Sequence, residues 1–136
     1  MGETDRVHRI HLKIYYEDTD AGGVVYYANY LRYFERARTE FLAEKGIDVS
    51  KYHHDGYLFV VVHVDIHYRK PARLGQTIEV TTEVIEMTHV TISLKHQVFL
   101  EGELLVESTV KLACINSEGR PQRLPGEFEK LRDGRL

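Results

Sequence analysis

From Ile10 to Tyr16 apolar and polar residues alternate, with Ile10, Leu12, Ile14 and Tyr16 set against His11, Lys13 and Tyr15. A period of two belongs to a strand with one buried face, so the first element is read as a β-strand. From Tyr27 the spacing lengthens. Tyr27, Tyr30, Leu31, Phe34, Ala37, Phe41 and Leu42 recur at three- and four-residue steps, while Arg32, Glu35, Arg36 and Glu40 fall on the other side. That pattern predicts an amphipathic helix ending near Gly46. Its wide aromatic stripe belongs deep in a core.

A polar loop around SKYHHDGY follows, and then four extended segments over residues 58–68, 77–87, 90–100 and 104–115. Ile78, Val80, Thr82 and Val84 alternate cleanly, as do Val90, Ile92, Leu94, His96 and Val98. The breaks PARLG, MTH and EGE are too short for a parallel crossover and predict antiparallel neighbours. In the polar tail, Pro125, Phe128 and Leu131 allow one short helix. Strand, long helix and four strands make an α+β fold, a five-stranded antiparallel sheet with one helix layer, in a single domain over residues 1–136.

Composition narrows the function. A chain of 136 residues can bury a core without disulfide or metal staples. A net charge of −3 opposes binding to a nucleic-acid backbone. Cys114 is the lone cysteine; its apolar setting, KLACIN, reads as a buried structural thiol in a reducing compartment. No run approaches the ~18 apolar residues of a membrane span. The N-terminal stretch lacks a secretion signal and does not carry the myristoylation pattern, so the cytoplasm is expected. Among eight histidines, His63 and His67 share a strand face with Asp65 but stand roughly 13 Å apart, too far for one ion. His53 and His54 read as solvated, and no metal is expected.

The chemistry-bearing stretch is YEDTDAGGVVYYANY, where Glu17, Asp18 and Asp20 precede Gly22 and Gly23 and a helix start. Taken alone, Asp and Gly there read as turn punctuation and a helix cap. The longer block YEDTDAGGVVYYANYLRYFERAR, however, resembles the signature of the 4-hydroxybenzoyl-CoA thioesterase family. It is nearest that family's acyl-CoA thioesterases of the Tol–Pal gene-cluster type. YRKPARLGQ resembles the same family's strand-ending segment.

The resemblance implies a hot-dog fold, with the sheet wrapped around the helix, and assembly into dimers or tetramers. It implies hydrolysis of acyl-CoA thioesters without a metal or redox cofactor, coenzyme A being part of the substrate. Carried over by position, the catalytic aspartate falls on Asp20, expected as a buried anion within reach of unpaired main-chain donors, and the carbonyl-polarising amide falls near Tyr27. Many members have histidine where this chain has Tyr27, so an imidazole-assisted mechanism is not implied here. Gly22, Gly23, Val24 and Tyr16 would lie against the substrate, and Arg69, Lys70 and Arg73 would meet coenzyme A phosphates. Asp18 and Glu17 keep a structural role, and Asn29 reads as a helix-surface residue. A non-catalytic module binding acyl-CoA or acyl carrier protein is the competing reading.

Overall fold

The computed structural model describes residues 6–132, so the start of the N-terminal stretch lies outside the described residues. Strand β1 (His8–Lys13) leads through two 3-10 turns, Tyr16–Asp18 and Tyr27–Asn29, into helix α1 (Tyr30–Glu44). Helix α2 (Val49–His54) and strands β2 (Leu58–Tyr68), β3 (Thr77–Met87), β4 (Thr91–Leu100) and β5 (Glu103–Ile115) follow. A 3-10 turn (Gly126–Phe128) and the short helix α3 (Glu129–Arg132) end the order. The strands form one antiparallel sheet in the order β1-β3-β4-β5-β2, against which α1 packs. This is the α+β hot-dog fold.

Two expectations about connections are corrected. PARLG does not join neighbours, because β2 pairs with β5 at one edge while β3 lies between β1 and β4. Residues 69–76 cross the end of the sheet instead, held by main-chain bonds to the loop before α1. SKYHHDGY is not all loop: Asp48 accepts from the amides of Ser50 (3.0 Å) and Lys51 (3.4 Å) and so starts α2.

Helix α1 buries Tyr30, Tyr33, Phe34, Ala37, Phe41 and Leu42. Its first half meets Ile78, Val80, Val98 and Val106. Its second half meets Ile92, Leu94, Val110 and Leu112, with Phe128 and Leu131 closing that end. Each fully buried side chain of this size contributes about 1.5–3 kcal/mol over its exposed state. The stripe is narrower than the spacing predicted, since Leu31 and Tyr27 are exposed. Leu31 is one residue beyond Tyr30, about 100° around the helix, which puts it past the margin of the buried face. Gly46, at φ 83°, takes the left-handed conformation that closes α1.

One polar ring lies inside this apolar layer. His96 occupies the buried face of β4 and stacks on Phe34, with centroids 4.9 Å apart. Its Nδ1 is 3.1 Å from the Thr81 carbonyl oxygen, which can only accept, so Nδ1 carries the proton of a neutral ring. Burial, and then the positive charge of Arg38, hold the pKa of His96 down at about 3. The unfolded chain takes up this proton below about pH 6.5 and the folded chain does not, so stability falls as the pH drops from 6.5 towards 3. His96 should therefore cost the protein about 2 kcal/mol between pH 7 and pH 5. Urea unfolding at both pH values should show this loss in the wild type and little of it in His96→Gln. An equal loss in both proteins would clear His96 as the cause.

Candidate active site

Residues 19–25 form a narrow loop closed by main-chain bonds. Thr19 bridges Val25, the Asp20 amide donates to the Val24 carbonyl (2.9 Å), and the Gly23 amide donates to the Asp20 carbonyl (3.0 Å). The turn places Gly23 at φ 82°, which a side chain would strain. Gly22 has no such requirement; its amide donates to Asp20 Oδ1 at 2.8 Å, and the Val24 amide approaches the same oxygen at 3.4 Å.

The segment that resembled a second family motif lies directly against this loop. Val24 bridges Arg73, the Val25 amide donates to the Ala72 carbonyl (2.9 Å), and the Leu74 amide donates to the Gly23 carbonyl (3.0 Å). Two stretches far apart in the chain thus share one short ladder. Ala72 is fully buried beneath it.

The start of the helix is fixed from the other side. Asp18 is buried, and its carboxylate accepts from the Tyr15 amide (2.8 Å) and from Asn29 Nδ2 (3.0 Å). The Tyr26 amide donates to the Asp18 carbonyl (3.0 Å), and the Asn29 amide to the Tyr26 carbonyl (2.8 Å). Tyr33 lies beneath this knot; burial and the Asp18 charge push its phenol well above the usual range. The amides of Tyr27 and Ala28 open the 3-10 turn and donate to no described group, as the first amides of a helix do. Such amides, with the dipoles of the following turns, attract developing negative charge.

The structure revises several expectations. The helix proper starts at Tyr30, and Tyr27 belongs to the 3-10 turn before it. Tyr16 does not continue the buried face of β1: the strand ends at Lys13, Asp18 caps a turn there, and Tyr16 is 82% exposed. Asp20 is not a buried anion in the single chain but an exposed one at a loop tip. Arg69 and Lys70 are ion-paired with Glu107 and Glu103 on β5, which lessens their availability to phosphates. Arg73 makes no ion pair among the described residues. His67 Nε2 lies 3.3 Å from Asp65 Oδ1, and among the described residues no group of three or more His, Cys, Asp or Glu side chains is placed to hold a metal ion.

Two residues went unrecognised in the sequence. Asn29 is the side-chain partner of Asp18 rather than a bystander on the helix surface. Tyr68 read only as the last residue of a strand, yet its hydroxyl donates to the Tyr27 carbonyl at 3.1 Å. Its position immediately before RKPARLG was the available signal. Tyr68 is exposed, as are Tyr15, Tyr16, Tyr26 and Tyr27 on the segment before α1, and the rings of Tyr26 and Tyr27 pack 4.8 Å apart.

A hot-dog fold with a carboxylate loop ahead of its long helix is the arrangement expected of a thioester hydrolase, and the relatives agree. The chain belongs to the thioesterase-like superfamily, whose profile matches residues 15–131. The acyl-CoA thioesterase YbgC of Haemophilus influenzae is 40% identical over 120 residues, covering 87% of this chain and 88% of that protein. The acyl-CoA thioester hydrolase YbgC of Escherichia coli O157:H7 is 36% identical over 116 residues, covering 84% and 87%. A crystal structure of a probable thioesterase from Bartonella henselae superposes with a TM-score of 0.82 at 33% identity, covering 88% of this chain and 99% of that one. No described helix is long and apolar enough to cross a membrane.

The two glycines should separate experimentally. A methyl at Gly22 would stand 3.4 Å from Asp20 Oδ1, an ordinary contact, whereas one at Gly23 forces a left-handed residue. Gly23→Ala should lose roughly 1–2 kcal/mol in denaturant unfolding, and Gly22→Ala well under half of that. Equal losses would remove the backbone explanation.

Proposed function

We propose that the chain is an acyl-CoA thioesterase in which Asp20 supplies the attacking oxygen and the Tyr27–Ala28 amides polarise the thioester carbonyl. The observation that carries this reading is the short ladder between residues 23–25 and 72–74, which fixes the end of the Asp20 loop just ahead, along the chain, of the turn that carries the unpaired amides. The YbgC relatives support the substrate class.

In the first route, Asp20 takes a proton from water as the water oxygen bonds to the carbonyl carbon. The carbonyl π pair moves onto oxygen, which the amides stabilise; collapse expels the thiolate of coenzyme A and leaves the free acid. In the second, the Asp20 carboxylate attacks the carbonyl carbon and expels the thiolate of coenzyme A to form an anhydride, which water cleaves to the free acid and the regenerated carboxylate. Both require an ionised Asp20 and no metal or redox cofactor. Gly22, Gly23 and Val24 form the close main-chain approach for the acyl-thioester, Tyr16 supplies an exposed ring beside it, and Arg73 is the cation left for coenzyme A phosphates. The same proposal puts the enzyme in the cytoplasm, where a free thiol such as Cys114 persists.

Two copies joined along β2 complete the proposal. β2 is an edge strand on which Val60, Val61, Val62 and Val64 are exposed, an unusual load for an edge left open to water. A second copy would also cover the exposed Asp20 loop.

Asp20→Asn should lower kcat on acyl-CoA by about 100-fold or more, with the melting temperature held within a few degrees. Wild-type turnover in that variant would remove Asp20 from the chemistry. A panel of short-chain, long-chain and aromatic acyl thioesters of coenzyme A and of acyl carrier protein, read by thiol release, identifies the leaving group. Binding of every member without release would favour a non-catalytic module. Separately, Val62→Lys should convert the wild-type dimer or tetramer to smaller species in sedimentation velocity; an unchanged profile would exclude β2 as the joint.

A further inference from the structure

We infer that Tyr68 is a positioning residue for the reaction, acting through the peptide group between Tyr27 and Ala28; the inference rests on the thioesterase reading above. That peptide presents its N–H, the Ala28 amide, to no described partner, while its carbonyl accepts the Tyr68 hydroxyl at 3.1 Å. The preceding peptide has the same arrangement: the Tyr27 amide is unpaired, and the Tyr26 carbonyl accepts from the Asn29 amide at 2.8 Å. A hydrogen bond to a carbonyl polarises the whole peptide and makes its N–H a stronger donor, by about a tenth to a third per bond. Both candidate donors to the substrate oxygen are therefore strengthened from behind, one by the helix itself and one by a side chain from another element.

The side chain is well held for this task. Tyr68 ends β2, where it pairs with the buried Val106 of β5, and its ring packs on Tyr30 with centroids 5.7 Å apart. Burial raises its phenol pKa further, which keeps the hydroxyl protonated and able to donate. On the opposite side of the turn, Asn29 is tied to Asp18. The first turn is thus gripped at both ends, and of the two side chains Tyr68 is the one that bonds to the carbonyl of an unpaired amide's own peptide group.

Tyr68→Phe keeps the ring and removes the donor. The expected result is a fall in kcat of about 3- to 10-fold, with KM within about 2-fold and the melting temperature little changed. A structural role alone would not move the second readout. In the Asp20→Asn background, the carbonyl stretch of a bound acyl-CoA should lie at lower frequency than in solution, and adding Tyr68→Phe should return part of that shift. An unchanged kcat, or an unchanged stretch while the carbonyl remains polarised, overturns the role of Tyr68 and leaves the thioesterase reading standing. A carbonyl that is not polarised at all, or a wild type that hydrolyses no thioester, defeats the underlying reading instead. If Tyr68→Phe unfolds, a ring-fluorinated tyrosine at position 68 keeps the fold and still tests the donor: a stronger phenol donor should lower the stretch further, and no change would overturn the role.

Discussion

The ladder between residues 23–25 and 72–74 is the constraint on which the site depends. Without the bonds from Val25 to the Ala72 carbonyl and from Leu74 to the Gly23 carbonyl, the loop carrying Asp20 would have only its own turn to define it. A loop of that length, exposed at its tip, would sample many positions relative to α1. The ladder costs little, because residues 69–76 must cross the end of the sheet in any case to connect β2 with β3. The connection from β2 to β3 thereby serves as the anchor for an exposed carboxylate.

The two aspartates of the DTD sequence divide the work by environment. Asp18 is buried and accepts one hydrogen bond on each oxygen, from Tyr15 and from Asn29, so it holds the approach to the helix. Asp20 stands in the open with one oxygen turned to the amides of its own loop. Their separation by a single residue follows from the tight turn between them. The buried carboxylate orients the segment, and the exposed one is presented by it.

Much of the fold was legible because its signals are periodic. Strand boundaries at 58–68 and 77–87 were read as observed, and those of β4 and β5 differ by one residue. The alternation Ile92, Leu94, His96, Val98 was the buried face of β4, including its histidine. Strand order was not legible, since periodicity tells which face is buried and not which edge a strand joins. Short α2 was missed because six residues carry too little pattern, although Asp48 offered a cap. At the site, residue types pointed to Asp20 and Gly23 through a motif. Tyr68 and Asn29 act by hydrogen bonds to partners 41 and 11 positions away, and no local spacing reports such pairs. Tyr16 misled for a simpler reason: alternation continues on paper past the residue where Asp18 turns the chain.

The position of Tyr68 links the two ends of the argument. It closes β2, the strand whose open edge carries Val60, Val61, Val62 and Val64, and it touches the first turn of α1. A strand that twists or shifts on pairing with a second copy moves its terminal residue with it, because the ladder to β5 runs through to Tyr68 and Val106. The register shift between Val61 and His63 falls among the exposed valines, and the ladder runs without interruption from His63 and Lys111 to Tyr68 and Val106. In the dimer proposed above, the irregular part of the strand is the part a second copy would meet, and the regular part is the one that carries Tyr68 to its 3.1 Å contact with the Tyr27 carbonyl.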